Sequence, residues 1–447
     1  MKFGGTSVQN TEAFARVAEI VGGQQVFSPV VVTSAMSKVT DALLFAFETA
    51  KKGDFESAFA SLKPHFERHE QVSKDLTGEN QQKAFRMELD FAERELTDLL
   101  MRVSRRSLPL SMLKDAIVSY GEQLSSRLLA EVCKAKNLNA RQVDSRRLIV
   151  TDEEYGAATP VWDETERLIQ LELQPLIEAG EIPILGGFIS ASRGGETTVL
   201  GRGGSDYSAA LLGAALRAKE IQIWTDVTGV LTCDPRICAE AETINVLSYE
   251  EAAELAYFGA KVLHPKTIKP AVDYGIPVRV CNSHKSFERG TMILAESEIA
   301  PNKIKSIAHK TGITIVRISS ARMLGAYGFM SALFQIFERY RTAIDVISTS
   351  EVSVALTLDD TASIDPIVRE LKRLGDVEIE HDNAVVCVVG EGLRTSSGLA
   401  SKIFSTIEDV NISLISHGAS SVNMTFVVKE EKVKEVIKRL HDTFFAD

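Results

Sequence analysis

The chain has 447 residues, 45% of them hydrophobic, which is material for more than one buried core and, by length alone, for about two to four domains. Its formal net charge of −11 argues against a broad nucleic-acid footprint, because phosphate binding relies on clustered lysine and arginine that release counterions; no nucleic-acid partner is expected. Five scattered cysteines without a CxxC pair indicate neither a disulfide framework nor a zinc site, and no apolar run approaches a membrane span or a signal peptide, so the expectation is reduced thiols, no membrane and a cytoplasmic location.

The first stretch, "KFGGTSV", puts Lys2 just ahead of the paired glycines Gly4 and Gly5. A strand-end loop of this kind can approach phosphates closely, and its lysine can neutralise charge on a phosphoryl group in transfer. An ordinary surface lysine on a turn would have the same local sequence. The chain lacks GxxxxGK[ST], which excludes the Walker loop as the means. Short β-branched runs then recur at Pro29 to Ala35, Ile182 to Ile189, Ile221 to Val227 and Ile276 to Asn282, alternating with helical stretches. Runs apolar on both faces predict strands buried on both sides, hence an α/β domain with a mainly parallel central sheet covered by helices. Between the first two runs, Asp41 to Lys136 carries apolar residues at three- and four-residue spacing and predicts a helical subdomain packed on that sheet. Its basic knot, Arg102, Arg105 and Arg106, reads as a solvated helix end.

Between Gly186 and Gly204 there are seven glycines in 19 residues, followed by a helix whose first turn carries Ser205 and Asp206. Glycines let backbone N–H groups crowd an anion, and a helix N-terminus adds its positive dipole end. Arg202 offers a planar fork for a carboxylate or phosphate, and Asp206 can accept hydrogen bonds from an ammonium group. A purely structural turn would also use these glycines. "WTDVTGVLTCDPR" places Thr225 and Asp226 at the end of a buried strand, where ligands gather in open α/β sheets, with Asp234 and Arg236 on the loop that follows. Carboxylates and hydroxyls there suit a nucleotide's sugar and base, and the arginine its phosphates, although turn chemistry also explains Asp234 and Pro235. "FGAKVLHP" adds Lys261, whereas His264 before proline reads as structural.

From about Gly290 the regular pattern lapses, marking the end of the first domain. A strand (Ile313 to Ile318), a helix (Gly328 to Arg339), two strands (Ile344 to Ser348 and Val352 to Leu358), a helix (Ile364 to Leu374) and a strand (Val377 to Glu380) then follow in βαββαβ order, a ferredoxin-like sandwich. The order begins again with Ala384 to Val389, Ser397 to Glu408, Ile412 to Ser416, Met424 to Val428 and Glu431 to Phe444, and stops one strand short. An unpaired buried edge is costly, so Ile304 to Ala308 is expected to supply the missing strand beside Ala384 to Val389, with the first unit inserted in the second. The expected domains are 1–295, 310–382, and 300–309 joined with 383–447.

"KFGGTSV", "GRGGSDYSAALL", "WTDVTGV" with "CDPR", and "FGAKVLHP", in this order, resemble the aspartate kinases of the amino-acid kinase family, and "STSEVSVALTLD" resembles their lysine-sensitive, monofunctional branch, whose two small units are ACT domains. The resemblance implies ATP-dependent phosphorylation of the β-carboxylate of L-aspartate, with Lys2 and Asp206 as the catalytic pair. It implies that Arg202, Glu122, Ser34, Thr40, Gly203 and Ser205 bind aspartate, and that Lys2, Gly4, Gly5, Thr225, Asp226, Asp234, Arg236 and Lys261 bind ATP. Mg2+ is expected to be held mainly by phosphates and water rather than by a protein site. Met323, Gly328, Phe329, Met330, Ile344, Asp345, Thr349 and Ser350 match the positions that bind lysine as feedback effector; read alone, Met323 and Phe329 would be core residues. ACT pairing implies a homodimer, or a tetramer built from two. Three departures stand out: Ala326 where the lysine-sensitive pattern often has serine, Leu231 where the nucleotide loop often has tyrosine, and a sequence that starts one residue ahead of Lys2, with a short first strand expected if that start is the native one. Too few residues follow the second ACT unit for an appended dinucleotide-binding domain. Kinases of glutamate, acetylglutamate or carbamate, and a noncatalytic amino-acid sensor, are the competing readings.

Overall fold

The computed structural model describes residues 1–259, 265–295, 304–324 and 327–445. They form two compact units: Met1–Val230, Asn245–Tyr249 and Val262–Ser297 make the first, and Leu231–Ile244, Glu250–Lys261 and Glu298–Asp447 the second. The strands of the first unit are β1 (Lys2–Phe3), β2 (Val31–Thr33), β3 (Ala140–Val143), β4 (Val150–Thr151), β5 (Ile182–Gly186), β6 (Ile189–Ser192), β7 (Thr197–Val199), β8 (Ile221–Thr225), β9 (Val246–Ser248), β10 (Val278–Asn282) and β11 (Thr291–Leu294). Eight of them form one sheet in the order β3-β5-β2-β1-β8-β10-β11-β9, parallel at every step except β10 to β11. Every residue of β2 and β5 is buried, as strands covered on both faces require. Phe3 and Trp224 lie opposite each other in register and stack with ring centroids 5.8 Å apart.

Because β5, β2, β1 and β8 are adjacent and parallel, the segments leaving their C-terminal ends emerge along one edge of the sheet. Those segments begin at Gly187, Ser34, Gly4 and Asp226. The apolar run expected as one strand from Ile182 to Ile189 breaks at Phe188, whose φ of 68° turns the chain away, and Ile189–Ser192 joins a separate sheet ordered β4-β6-β7.

The helical region resolves into six helices, Val39–Lys51, Phe55–Ala60, Lys63–Leu76, Glu79–Arg105, Leu110–Val118 and Tyr120–Ala135. The longest buries Phe85, Leu89, Ala92, Leu96, Leu100 and Val103, a stripe at three- and four-residue intervals that merges with the core of the sheet. The basic knot closes this helix, with Arg106 as its left-handed cap and Arg102 paired to Asp98 at 2.7 Å on a half-exposed surface.

In the second unit the strands are β12 (Ile304–Ser319), β13 (Ile347–Thr349), β14 (Ser353–Leu358), β15 (Asp376–Gly390), β16 (Leu414–His417) and β17 (Asn423–Lys429), in one sheet ordered β13-β14-β12-β15-β17-β16. Ile304, Ser306, Ile307 and Ala308 pair antiparallel with Gly390, Val389, Val388 and Cys387. The sequence suggested four short strands where two long ones run through both halves of the sheet. Gly312 at φ 72° and Asp382 at φ 59° lie where the ladder shifts register, so each chain bends without leaving its partner. Two apolar clusters result, one under each half: Val316, Leu333, Phe337 and Leu356 in one, Ile307, Val386, Ile403 and Phe426 in the other.

Candidate active site

At the edge where β5, β2, β1 and β8 end, the first unit encloses a cavity of about 580 Å³. Lys2 and Gly5 reach it from the loop after β1, Ser34 from the end of β2, and Thr40 from the first turn of the helix Val39–Lys51. Glu122 enters from the helix Tyr120–Ala135, and Arg202, Gly203, Ser205 and Asp206 come from the glycine turn and the helix Gly204–Ala215. Residues 204 positions apart in sequence meet here: Lys2 Nζ lies 2.7 Å from Asp206 Oδ1, with only 12% and 14% of the two side chains exposed.

Glycine is needed where these segments touch. Gly203 caps the helix at φ 73°, in the left-handed region, and its carbonyl accepts from the N–H groups of Asp206 and Tyr207. A Cβ at Gly187 would come within 2.7 Å of Ser205 Cβ and 2.8 Å of both Ser205 Cα and Val32 Cγ1, so only a bare backbone lets the segment leaving β5 pass this close to the helix. The result is a helix N-terminus, with its positive dipole end, facing the Lys2 ammonium group across one acid. Ser34 Oγ donates to Ser205 Oγ at 3.0 Å and ties the end of β2 to the same turn.

Glu122 is the most perturbed acid in the cavity. It is 4% exposed, its Oε1 accepts from Ala35 N at 3.1 Å, and its Oε2 has no hydrogen-bond partner among the described residues. Burial pushes its carboxyl up to about 8, against the smaller opposing effects of the Ala35 bond and the Lys2 charge. Arg202 makes no hydrogen bond or ion pair with any described residue, leaving its guanidinium fork open. Asp115 and Lys114, which the sequence reading passed over, also line the cavity. Asp115 lies on the helix Leu110–Val118 and Glu122 on the next, Tyr120–Ala135, so no single-helix spacing in the sequence links the two.

The other anticipated residues divide into three groups. Gly4 adjoins Lys2, with its N–H donating to Trp224 O, while Thr225 Oγ1 donates to Asp226 Oδ1 at the end of β8. Asp234 and Arg236 belong to the second unit and are paired with each other, the guanidinium Nη2 lying 2.7 Å from Asp234 Oδ2. Leu231, also in that unit, accepts at its carbonyl from Ser306 Oγ. Lys261 and Ala326 lie outside the described residues.

In the second unit, Gly328 is the left-handed cap of the helix Phe329–Arg339, and Met323, Phe329, Met330 and Ile344 pack half-buried against the neighbouring apolar cluster. Thr349 ends β13, and Ser350 shares a hydrogen bond with Ser353 at 2.7 Å. Asp345 is the buried acid of this group, its side chain 1% exposed. It accepts from the Tyr257 hydroxyl and faces Lys310 Nζ at 3.3 Å, while its Oδ2 has no partner among the described residues. Neither Tyr257 nor Lys310 was anticipated, because each is far from Asp345 in sequence.

Residues 1–282 match the model of the amino acid kinase family, and residues 386–444 match an ACT domain. Lysine-sensitive aspartokinase 3 of Escherichia coli is 36% identical over 99% of this chain and 98% of its own length. The chain belongs to the aspartokinases of the amino acid kinase family. Among other aspartokinases, the chloroplastic aspartokinase 1 of Arabidopsis thaliana is 35% identical, covering all of this chain and 80% of its own. The solved structure of E. coli aspartokinase III with aspartate and ADP superimposes with a TM-score of 0.83 at 35% identity, over 99% of each chain. The same enzyme with lysine and aspartate gives 0.85 at 36% identity, over 99% of this chain and 98% of that one. The chain therefore has the aspartokinase fold.

Proposed function

We propose that this aspartokinase transfers the γ-phosphoryl group of MgATP to the β-carboxylate of L-aspartate, releasing ADP and 4-phospho-L-aspartate, the first step toward lysine, threonine and methionine. The observation that carries the reading is the pairing of Lys2 with Asp206 at 2.7 Å in the same cavity as a buried Glu122 with an open oxygen. Such a site offers one cation for a phosphoryl group and one acid for an ammonium group.

A carboxylate nucleophile is already ionised at neutral pH and needs no general base. An oxygen of the substrate's β-carboxylate attacks the γ-phosphorus as the bond to the β-phosphate oxygen breaks, and the displaced electron pair leaves with ADP. Lys2 neutralises charge on the equatorial oxygens, and Asp206 holds the Lys2 ammonium in place. Arg202 grips the α-carboxylate bidentately, Glu122 takes the α-ammonium, and Ser34, Thr40, Gly203 and Ser205 complete the substrate's hydrogen bonds. Gly4, Gly5, Thr225 and Asp226 hold the nucleotide. Magnesium arrives as part of the nucleotide substrate, held by phosphates and water. Lysine acts as feedback effector at Asp345 and its neighbours, and the chain pairs into a homodimer through its ACT units.

A coupled assay of ADP release with aspartate, glutamate, acetylglutamate or carbamate, with and without lysine, tests this directly. Turnover with aspartate alone, hydroxamate trapping of an acyl phosphate and inhibition by lysine support the reading. Turnover with another acceptor, or with none, overturns it.

A further inference from the structure

We propose that Asp115 is a positioning residue for the amino-acid substrate, a buried clamp whose carboxylate fixes the backbone that carries Arg202 into the cavity. The inference rests on the reading of Arg202 as the α-carboxylate ligand. Asp115 is 1% exposed, on the helix Leu110–Val118, and a single oxygen, Oδ2, accepts from two backbone donors: Gly156 N at 2.8 Å and Val199 N at 3.1 Å. The two donors belong to segments more than 40 residues apart. Val199 ends β7 three residues before Arg202, and Gly156 sits at φ 93° in the loop after β4.

The same two segments are tied a second time by Ala158 N donating to Val199 O at 2.9 Å, and they touch again where Gly201 turns at φ 76°. A Cβ on Gly201 would stand 3.2 Å from Gly156 O. Arg202 therefore leaves from a turn with no side chain of its own to hold it, between two left-handed glycines, Gly201 and Gly203. Its backbone is fixed from outside, and Asp115 is the side chain that does so. A side chain without an acceptor could not fill this role, because the Gly156 N–H and the buried Val199 N–H would lose their shared partner. Burial raises the Asp115 carboxyl to about 6, and the two backbone bonds oppose that rise by favouring the charged form.

Asp115→Ala should raise the KM for aspartate at least about tenfold while the KM for MgATP stays within about twofold, since only the amino-acid ligand loses its position. Asp115→Asn, whose amide oxygen can still accept both bonds, should restore the aspartate KM to within about threefold of the parent. A double-mutant cycle with Arg202→Ala supplies the readout that a general structural role would not move: in the Arg202→Ala background, Asp115→Ala should add less than about twofold. Additive effects in that cycle, or equal losses for both substrates, overturn the proposal while leaving the function intact. An unchanged aspartate KM in Arg202→Ala alone overturns the substrate reading beneath it. Should Asp115→Ala fail to fold, the volume-conserving Asp115→Asn decides: a folded variant with an aspartate KM raised tenfold or more refutes the hydrogen-bond clamp.

Discussion

Glu122 should release a proton when aspartate binds. With its carboxyl raised to about 8, the acid is about 90% protonated at pH 7 in the empty cavity, and it cannot pair with an ammonium group in that form. Binding must then eject about 0.9 proton at pH 7, at a cost of about 1.4 kcal/mol, rising to about 2.7 kcal/mol at pH 6. Apparent affinity for aspartate should therefore improve about tenfold per pH unit from 6 and level off near 8. Asp115, raised to about 6, is only about 10% protonated at pH 7 and contributes little to the count. Calorimetric titration of aspartate in buffers of different ionisation enthalpy, with a non-hydrolysable ATP analogue present, measures the released proton directly. A release near zero at pH 7, or one that persists in Glu122→Gln, would refute the assignment of Glu122 to the substrate's ammonium group.

Four further outcomes are expected. Lys2→Ala or Asp206→Asn should lower kcat by at least about 100-fold, measured by ADP release, because the first removes the charge that stabilises the transferring phosphoryl group and the second the acid that holds that charge in place. Glu122 also makes a stability prediction: its folded pKa lies above its unfolded value near 4.5, so the folded chain binds the extra proton and loses stability as pH rises from about 4.5 through about 8. Glu122→Gln should consequently melt higher than the parent at pH 8.5, by an amount on the order of 2–4 kcal/mol, and gain little at pH 4.5; scanning calorimetry at the two pH values checks it. Gly187→Ala should destabilise the chain by about 1–3 kcal/mol, read from denaturant unfolding, since its Cβ would meet Ser205 and Val32 at 2.7–2.8 Å. In the second unit, Lys310→Met removes an internal ammonium 3.3 Å from Asp345, so less added lysine should be needed for half-inhibition, whereas Asp345→Ala should abolish inhibition with activity retained.

Much of this arrangement was legible in the chain alone. Strands apolar on both faces can only be covered on both faces, so the runs around Val31, Ile184 and Ile223 foretold a parallel sheet, and the glycines and charges at their ends marked segments that line its cavity. Lys2, Arg202 and Asp206 could be singled out because each stands in a local pattern with a chemical use. Tertiary structure alone decided how these residues act on one another. The 2.7 Å approach of Lys2 to Asp206, the elevated Glu122, the clamp from Asp115 to Val199, and the hold of Tyr257 and Lys310 on Asp345 all join segments far apart in sequence. The four strands that merge into β12 and β15 belong to the same class, because two left-handed residues at register shifts keep the ladder whole where the local pattern suggested a break. Residue type and local spacing set what each side chain can do, whereas burial and distance, which set pKa and pairing, exist only once the chain has folded back on itself.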